Sequence, residues 1–249
     1  MKIFFPDNIF TRLLLNSLNE DERRKIRFKA SSLLSQTINQ DEESVALIPT
    51  LDIVTHPELY LSASVGISFD ATLCNSFIYY EPGKEEIEKI NLAGDISSMD
   101  VLLLKIFFKE LYNSEPEIKL QTSLPDKLSE NYFISGDENF RKRRYETGIS
   151  FSEEMIELIS APYVNFALAS KNKKLVEDYS AVLLNAVELI DYGSESNYNI
   201  DIASVEFIKK NMVSVVYNFS EQDVVGIKEL VQLPYFHGYT KEIVDLKLV

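Results

Sequence analysis

The chain has 249 residues, and its 39 Asp and Glu residues exceed its 25 Lys and Arg residues, so the formal net charge at pH 7 is −14. Such a surface repels phosphate backbones and anionic lipid, which argues against nucleic-acid and membrane-surface partners. One cysteine and two histidines are too few for a disulfide framework, a cysteine-type zinc site or an iron–sulfur cluster. We therefore expect neither a metal nor a cofactor.

Hydrophobic residues make up 45% of the chain, enough to form the core of one domain or of two lobes. The first residues, MKIFFPDNIF, contain no apolar run as long as the central region of a signal peptide. No stretch approaches the roughly 20 apolar residues of a membrane-spanning helix. These observations predict a soluble, cytoplasmic protein.

Short apolar runs alternate with helical patterns in the first fifty residues, as in βαβ units. Val45-Ala46-Leu47-Ile48, bounded by acidic residues and by Pro49, is typical of a buried parallel strand. Asp7 or Asn8 is placed to cap the first helix. The elements predicted here are strands over 2–5, 26–28 and 45–48, and helices over 9–18 and from 31 or 32 onwards.

Between residues 61 and 80, alternation and aromatic content predict two extended strands. A second run of strands and helices follows, and everything beyond Lys171 is predicted to be helical. The elements are strands over 90–92, 118–120, 132–135 and 163–169, and helices over 99–112, 152–159, 175–190, 202–217 and 221–233. This order predicts an α/β fold of two lobes joined by two crossings, with lobe one formed by residues 1–77 and 167–249 and lobe two by 78–166.

Several segments follow one another in an order known from one protein family. They are VALIPT at 45–50, ISFD at 67–70 with SFI at 76–78, DISS at 95–98 before a helix and EPE at 115–117, ISGD at 134–137, and YETG at 145–148 before a helix and APYV at 161–164. In this order they resemble the menaquinone-biosynthesis proteins of the futalosine pathway, the family of chorismate dehydratase. The resemblance implies a two-lobed fold of the periplasmic-binding-protein type II, with the ligand in the interlobe cleft and a helical C-terminal segment.

The resemblance also implies an activity, the removal of water from chorismate to give an enolpyruvyl-substituted benzoate. It identifies Asn8 and Ser68 as the catalytic residues of such a carbon–oxygen lyase, and a small anionic dicarboxylate as its substrate. The expected partners are that substrate and a second copy of the chain in a homodimer.

Two departures from the family pattern support an alternative function. No proline follows Asn8, and Ser98-Met99-Asp100 stands where the family has hydroxyl-bearing residues at a helix start. The alternative is a cytoplasmic protein of the same fold that binds a small organic acid without converting it. A third hypothesis is an interaction protein that kept the fold and lost the chemistry of the cleft.

Seven further residues are predicted to bind the ligand. They are Thr50, Asp70, Ser97, Ser98, Gly136, Asp137 and Asn165. Thr50 follows a predicted parallel strand, where ligands collect in open α/β sheets. Ser97 and Ser98 begin a helix whose free amides would hold a carboxylate. Asn165 is the polar residue of an apolar strand, and a buried amide needs partners, so it either ties the lobes together or contacts the ligand.

Each of these residues also has a purely structural interpretation. Thr50 and either serine can cap a helix. Asp70 lies on a segment that crosses between the lobes, but aspartate commonly binds turn amides instead. Gly136 and Asp137 form a tight turn whose amides could approach a ligand, although glycine serves such turns for steric reasons alone.

Two charged features bear on the binding of an anion. Asp100 lies in the first turn of a predicted helix, where its carboxylate occupies the positive potential that an anionic ligand would need. Residues 141–144, Arg-Lys-Arg-Arg, form a dense cationic run. This run is either a solvated face or a source of positive potential at the rim of lobe two.

Overall fold

The computed structural model describes residues 1–84, 86–191 and 200–249. Residues 192–199 of the predicted lobe one and residue 85 of the predicted lobe two lie outside the described residues. Within the described part, the strands form one sheet of seven and one sheet of five. No helix among the described residues is both long enough and apolar enough to cross a bilayer.

The strands are β1 (Lys2–Pro6), β2 (Ile26–Lys29), β3 (Ser44–Pro49), β4 (Tyr60–Phe69), β5 (Ser76–Tyr79), β6 (Lys89–Gly94), β7 (Glu117–Leu120), β8 (Tyr132–Ser135), β9 (Ile149–Ser150), β10 (Tyr163–Ser170), β11 (Val215–Asn218) and β12 (Lys247–Leu248). The helices are α1 (Ile9–Asn16), α2 (Glu20–Lys25), α3 (Ser31–Asn39), α4 (Ser98–Tyr112), α5 (Glu138–Arg141), α6 (Phe151–Ile159), α7 (Lys173–Val187), α8 (Ile202–Asn211) and α9 (Glu221–Phe236). Short 3-10 helices cover Thr50–Val54, Arg144–Glu146 and Met212–Ser214.

The first sheet has the order β11-β4-β10-β3-β1-β2, and β12 pairs with β4. Strands β1, β2 and β3 are parallel, and β10 runs antiparallel to both β3 and β4. Every residue of β3 and β10 is buried, because α3, α7 and α9 contact these strands. This burial explains the continuous apolar run at 45–48.

The second sheet has the order β7-β6-β8-β5-β9. Its strands β6, β7 and β8 are parallel, so that β6 and β8 end side by side with Gly94 paired to Ser135. The antiparallel strand β5 begins at this same edge, where Ser76 also pairs with Ser135. The loops that follow β6 and β8 therefore leave one edge of the second sheet together.

Sheet membership places both crossings between the lobes earlier than the sequence predicts. The first crossing lies between Phe69 and Ser76, and the second between Ser150 and Tyr163. The predicted divisions at 77/78 and 166/167 fall inside β5 and β10. An extended strand carries no local signal for the sheet that it joins, and this explains the difference.

Most predicted elements are found within one to three residues of their predicted ends. The exception is 215–218, predicted as the end of a helix, which forms strand β11. Val215 and Val216 are β-branched, and they pair with Phe69 and Ser68 on β4. Long-range pairing thus overrides the helical pattern. Strand β12 is a second departure, because everything beyond Lys171 was predicted to be helical. Strand β9 and the helices α2 and α5 were not predicted.

The two lobes share one hydrophobic core. Phe10 of α1 contacts Phe69 of its own lobe at a ring-centroid distance of 5.2 Å and Phe140 of the second lobe at 6.0 Å. Tyr145 stacks on Phe207 of α8 at 4.0 Å. These aromatic contacts hold the lobes against each other, with the ends of their strands face to face.

Candidate functional site

The edge of the first sheet that faces the second lobe carries a row of predicted site residues. Phe166 pairs with Pro49, which sets Asn165 beside Thr50 at the ends of β10 and β3. Ser68 of β4 pairs with Val164, next to a bulge in β10 that contains Asn165. Asn8 follows β1, the neighbour of β3. The structure thus brings together four predicted residues from four adjacent strands.

Three aspartates form hydrogen bonds between the lobes, and we call them the interlobe aspartates. Asp95, after β6, accepts from the Ser31 amide at 2.9 Å and from the Ser31 hydroxyl at 2.6 Å. Asp137, after β8, accepts from the Ile9 amide at 2.9 Å. Asp52 of the first lobe accepts from the Ser98 hydroxyl at 2.5 Å. These bonds hold the facing edges of the sheets together.

Two of these bonds involve helix N-termini of the first lobe. Ile9 is the first residue of α1, and Ser31 is the first residue of α3. Their amides have no partner within the helix and carry partial positive charge. Asp137 also pairs with Arg12 on the next turn of α1. The second lobe therefore places a carboxylate where this type of helix end would otherwise hold an anion.

Helix α4 of the second lobe begins with a capping box. The Ser97 hydroxyl accepts from the Asp100 amide at 3.1 Å, and Asp100 Oδ2 accepts from the Ser97 amide at 2.8 Å. Asp100 is 3% exposed. Burial raises the pKa of Asp100 to about 7, and the charges of Asp95 and Asp52 add to this effect. Ser97 and Asp100 therefore cap their own helix.

Asp100 belongs to a buried polar group that joins the lobes. The Asn165 amide nitrogen donates to the Tyr163 hydroxyl at 3.0 Å. Burial raises the pKa of Tyr163, and the nearby negative charge of Asp100 raises it further. The backbone amide after Thr50 contacts Met99, the neighbour of Asp100, at 3.5 Å. We call Thr50, Tyr163, Asn165 and Asp100 the interlobe cluster.

Oxygen atoms in this region are buried without hydrogen-bond partners. Among the described residues, Thr50 Oγ1, Asn165 Oδ1 and the neighbouring Ser68 Oγ have none. Asn75 Oδ1 is a fourth such atom, and the Asn75 carbonyl accepts from the Gly136 amide at 2.7 Å on the facing edge. Buried polar atoms are normally paired, and an unpaired one indicates bound water, a ligand or a functional role.

Other predicted site residues are engaged in structural bonds. Asn8 caps α1 by accepting from the Thr11 amide at 2.9 Å. Ser98 binds Asp52, and the carboxylate of Asp137, rather than its turn amide, makes the contact with the other lobe. Gly136 has a φ of +103°, the left-handed conformation that glycine adopts without strain. These residues position the lobes and leave few groups free for a ligand.

Asp70 is a predicted site residue that stays exposed. Its side chain is exposed, and its amide donates to the Ser214 carbonyl at 3.0 Å. Partial burial raises the pKa of Asp70, and the charge of Asp223 on α9 contributes. Three cations of the run are paired with carboxylates, Arg141 with Glu138, Lys142 with Asp126 and Arg143 with Glu146, while Arg144 donates to the uncharged Pro125 carbonyl. This pairing favours a structural role for the run.

Asp52, Asp95 and Tyr163 were not predicted as site residues from the sequence. Asp95 lies directly after a predicted strand, which is the signal that identified Thr50. Asp52 and Tyr163 have no local signal, because their roles depend on Ser98 and Asp100 of the other lobe.

An open cavity of about 670 Å³ lies at the opposite end of β6 and β8. Its lining includes Glu81, Glu88, Lys89 and Glu130. Lys89 pairs with Glu130 at 3.2 Å. This cavity is a solvated charged surface, and its residues are remote from the predicted site.

The raised pKa of Asp100 predicts a dependence of stability on pH. The carboxyl titrates at about 7 when folded and at its ordinary value of 3.8 when unfolded. Between these values the folded protein binds a proton that the unfolded chain releases, so stability falls as pH rises from about 4 to about 7. Asp100→Asn keeps an acceptor for Ser97 and should make this dependence shallower. Urea denaturation at about pH 5 and about pH 8 measures it, and an unchanged slope in the variant would contradict the assignment.

No protein-family model matches the chain, and no curated protein sequence is similar to it. Solved structures are similar in fold. Protein AF1704 from Archaeoglobus fulgidus has a TM-score of 0.67 at 12% identity, over 96% of this chain and 98% of that one. The alkanesulfonate-binding protein SsuA from Xanthomonas axonopodis pv. citri, bound to MOPS, has a TM-score of 0.63 at 12% identity, over 100% and 97%.

A ligand-binding component of an ABC-type import system from Staphylococcus aureus, solved with zinc, has a TM-score of 0.57 at 10% identity, over 96% of this chain and 92% of that one. At such identities the likeness concerns the fold alone. The predicted fold class is confirmed: the chain has the two-lobed α/β fold of periplasmic solute-binding proteins.

Proposed function

We propose that the protein binds a small molecule between its two lobes, at the interlobe cluster. The observation that carries this proposal is a pair of oxygen atoms at the adjoining ends of β3 and β10, Thr50 Oγ1 and Asn165 Oδ1, both buried and without partners among the described residues. Leaving a buried polar atom unpaired costs about 1–3 kcal/mol. A ligand held between the lobes would pair both atoms.

The same arrangement supports binding by opening and closing of the lobes. Thr50 is 0% and Asn165 is 5% exposed, so a ligand reaches them only if the lobes separate. The interlobe aspartates and Arg12 would then re-form their bonds around it. Hinge closure of two lobes around a ligand is a common conformational change in this class of fold.

Thr50→Val tests this proposal because it removes the unpaired hydroxyl at nearly constant shape. We expect the free variant to be as stable as the wild type or slightly more so, since an unpaired buried polar atom is lost. We also expect it to lose the stabilisation that a bound small molecule gives. The measurement is thermal unfolding of both proteins across a collection of small polar compounds, in which binding raises the Tm.

Ser170→Ala is the matched control. Ser170 is buried at the end of β10, the strand that carries Asn165, but its hydroxyl donates to the Ser44 carbonyl at 2.7 Å. Its removal should lower stability by about 1 kcal/mol and leave binding unchanged. A compound that stabilises wild type and Thr50→Val equally, or the lack of any stabilising compound, would contradict the proposal.

Dehydration of chorismate, the activity that the sequence resemblance implies, is the second candidate. The observation that favours it is the buried carboxyl of Asp100, whose pKa of about 7 suits proton transfer near neutrality. The Asp100 carboxylate would take a proton from a ring carbon and pass it to the ring hydroxyl, which leaves as water, and the ring becomes aromatic. The interlobe aspartates weigh against this candidate, because they repel a dicarboxylate substrate.

The second candidate has a direct assay. Purified protein is incubated with chorismate, and the aromatic product is followed by its ultraviolet absorbance. Dehydratase activity would appear in the wild type and be lost in Asp100→Asn, which cannot accept the proton. The lack of product under conditions in which a known dehydratase forms it would exclude this activity. That result would not contradict the binding proposal.

A further inference from the structure

The helix ends that face the interlobe space are each occupied by a carboxylate of this chain. Asp137 accepts from the first amide of α1, Asp95 from the first amide of α3, and Asp100 from the Ser97 amide at the start of α4. Helix N-termini are the groups that bind anions in many proteins. Here carboxylates of the chain accept from the first amides of α1 and α3, and a third carboxylate accepts from the N-cap amide of α4.

The oxygen atoms that stay unpaired need hydrogen-bond donors. The amide oxygens Asn165 Oδ1 and Asn75 Oδ1 can only accept. The hydroxyls of Thr50 and Ser68 can donate or accept. Both asparagines are 5% exposed, and both hydroxyl-bearing residues are 0% exposed. A ligand carboxylate would bring further acceptors to the two amide oxygens.

The charges between the lobes also disfavour an anionic ligand. Four carboxylates lie between the lobes, namely those of Asp52, Asp95, Asp100 and Asp137. Arg12 contributes a compensating positive charge, and it is shared between Asp137 and Asp7. In a poorly hydrated interface, like charges a few ångströms apart repel strongly.

We infer that the interlobe site takes a small molecule that donates hydrogen bonds and carries no acid group, an amine or a polyol. This inference rests on the proposed binding function and replaces the anionic ligand that the sequence predicts. Amine nitrogens and hydroxyls would donate to Asn165 Oδ1 and Asn75 Oδ1. The carboxylate of Asp100 would attract a cationic amine but would matter less to a polyol.

The test uses probes with one carbon chain and three kinds of end group: 1,5-diaminopentane, 1,5-pentanediol and pentanedioate. These are measured by calorimetry and thermal unfolding at a pH above the raised pKa of Asp100, beside larger amines, sugars and carboxylic acids. We expect stabilising compounds among the amines or polyols, and loss of their effect in Asn165→Leu. Circular dichroism establishes that the variant is folded.

Asp100→Asn separates the two ligand types, because it removes the charge at constant shape. An amine should then bind about tenfold more weakly, whereas the affinity for a polyol should fall much less, because a polyol carries no charge for the Asp100 carboxylate to attract. If carboxylic acids stabilise the wild type through Asn165 and the amines and polyols do not, the inferred ligand class is overturned and the binding function stands. If no compound of any class binds, both the ligand class and the binding function are overturned.

Discussion

Replacing Asp95 and Asp137 together by alanine is expected to open the lobes. The double substitution leaves the Ile9 and Ser31 amides without their acceptors, and both residues are buried, at 0% and 1% exposure. Unpaired buried donors favour a separated state in which water reaches them. We expect a larger radius of gyration by small-angle X-ray scattering and a free energy of unfolding about 4 kcal/mol lower than in the wild type.

Asp126→Ala is the control for this prediction. Asp126 pairs with Lys142 at 2.8 Å on the exposed surface of the second lobe. Exposed ion pairs contribute about 0–1 kcal/mol, so neither radius nor stability should change appreciably. A double variant with the radius of the wild type would show that the aromatic contacts alone hold the lobes closed.

Gly94→Ala is the second substitution with a large expected effect. Gly94 ends β6 with a φ of +93°, and a Cβ there would lie 1.9 Å from the Ser135 carbonyl oxygen. That oxygen accepts from the Asp95 amide at 3.0 Å, so relief of the clash would move the loop that carries Asp95. We expect the free energy of unfolding to fall by about 4 kcal/mol and the bond between Asp95 and Ser31 to be lost.

Gly83→Ala separates the steric clash expected at Gly94 from the cost of a left-handed backbone conformation in alanine. Gly83 also has a left-handed backbone, at a φ of +80°, but a Cβ there would meet no atom within 4 Å. Its substitution should lower stability by about 1 kcal/mol, the effect of backbone conformation alone. Equal losses in the two variants, measured by urea denaturation, would contradict the clash at Gly94.

Much of the fold could be predicted from the sequence because its signals are local. The apolar run at 45–48 and the cap at Asn8 depend on neighbouring residues, and both are found. Strand β11 was wrongly predicted as helix, because it exists through pairing with β4 far back in the chain. The lobe boundaries depend on sheet membership in the same way.

In the candidate site too, local features could be predicted from the sequence and long-range contacts could not. Thr50 and Asn165 were predicted from their places on apolar strands, and the structure sets them side by side. The bonds that close the lobes could not be predicted, because Ser31 and Asp95 are 64 residues apart in sequence and Ile9 and Asp137 are 128 apart. The capping box at Ser97 and Asp100 could have been predicted, since a serine three residues before an acidic residue is its ordinary sequence pattern.

A crystal structure with a stabilising compound shows directly whether the ligand binds between the lobes. We expect the compound at the interlobe cluster, with donor atoms at hydrogen-bond distance from Thr50 Oγ1 and Asn165 Oδ1. Asp95 and Asp137 should still hold the N-termini of α3 and α1 around it. A compound bound elsewhere, for example in the open cavity beside Glu81 and Glu130, with both oxygen atoms still unpaired, would contradict this expectation.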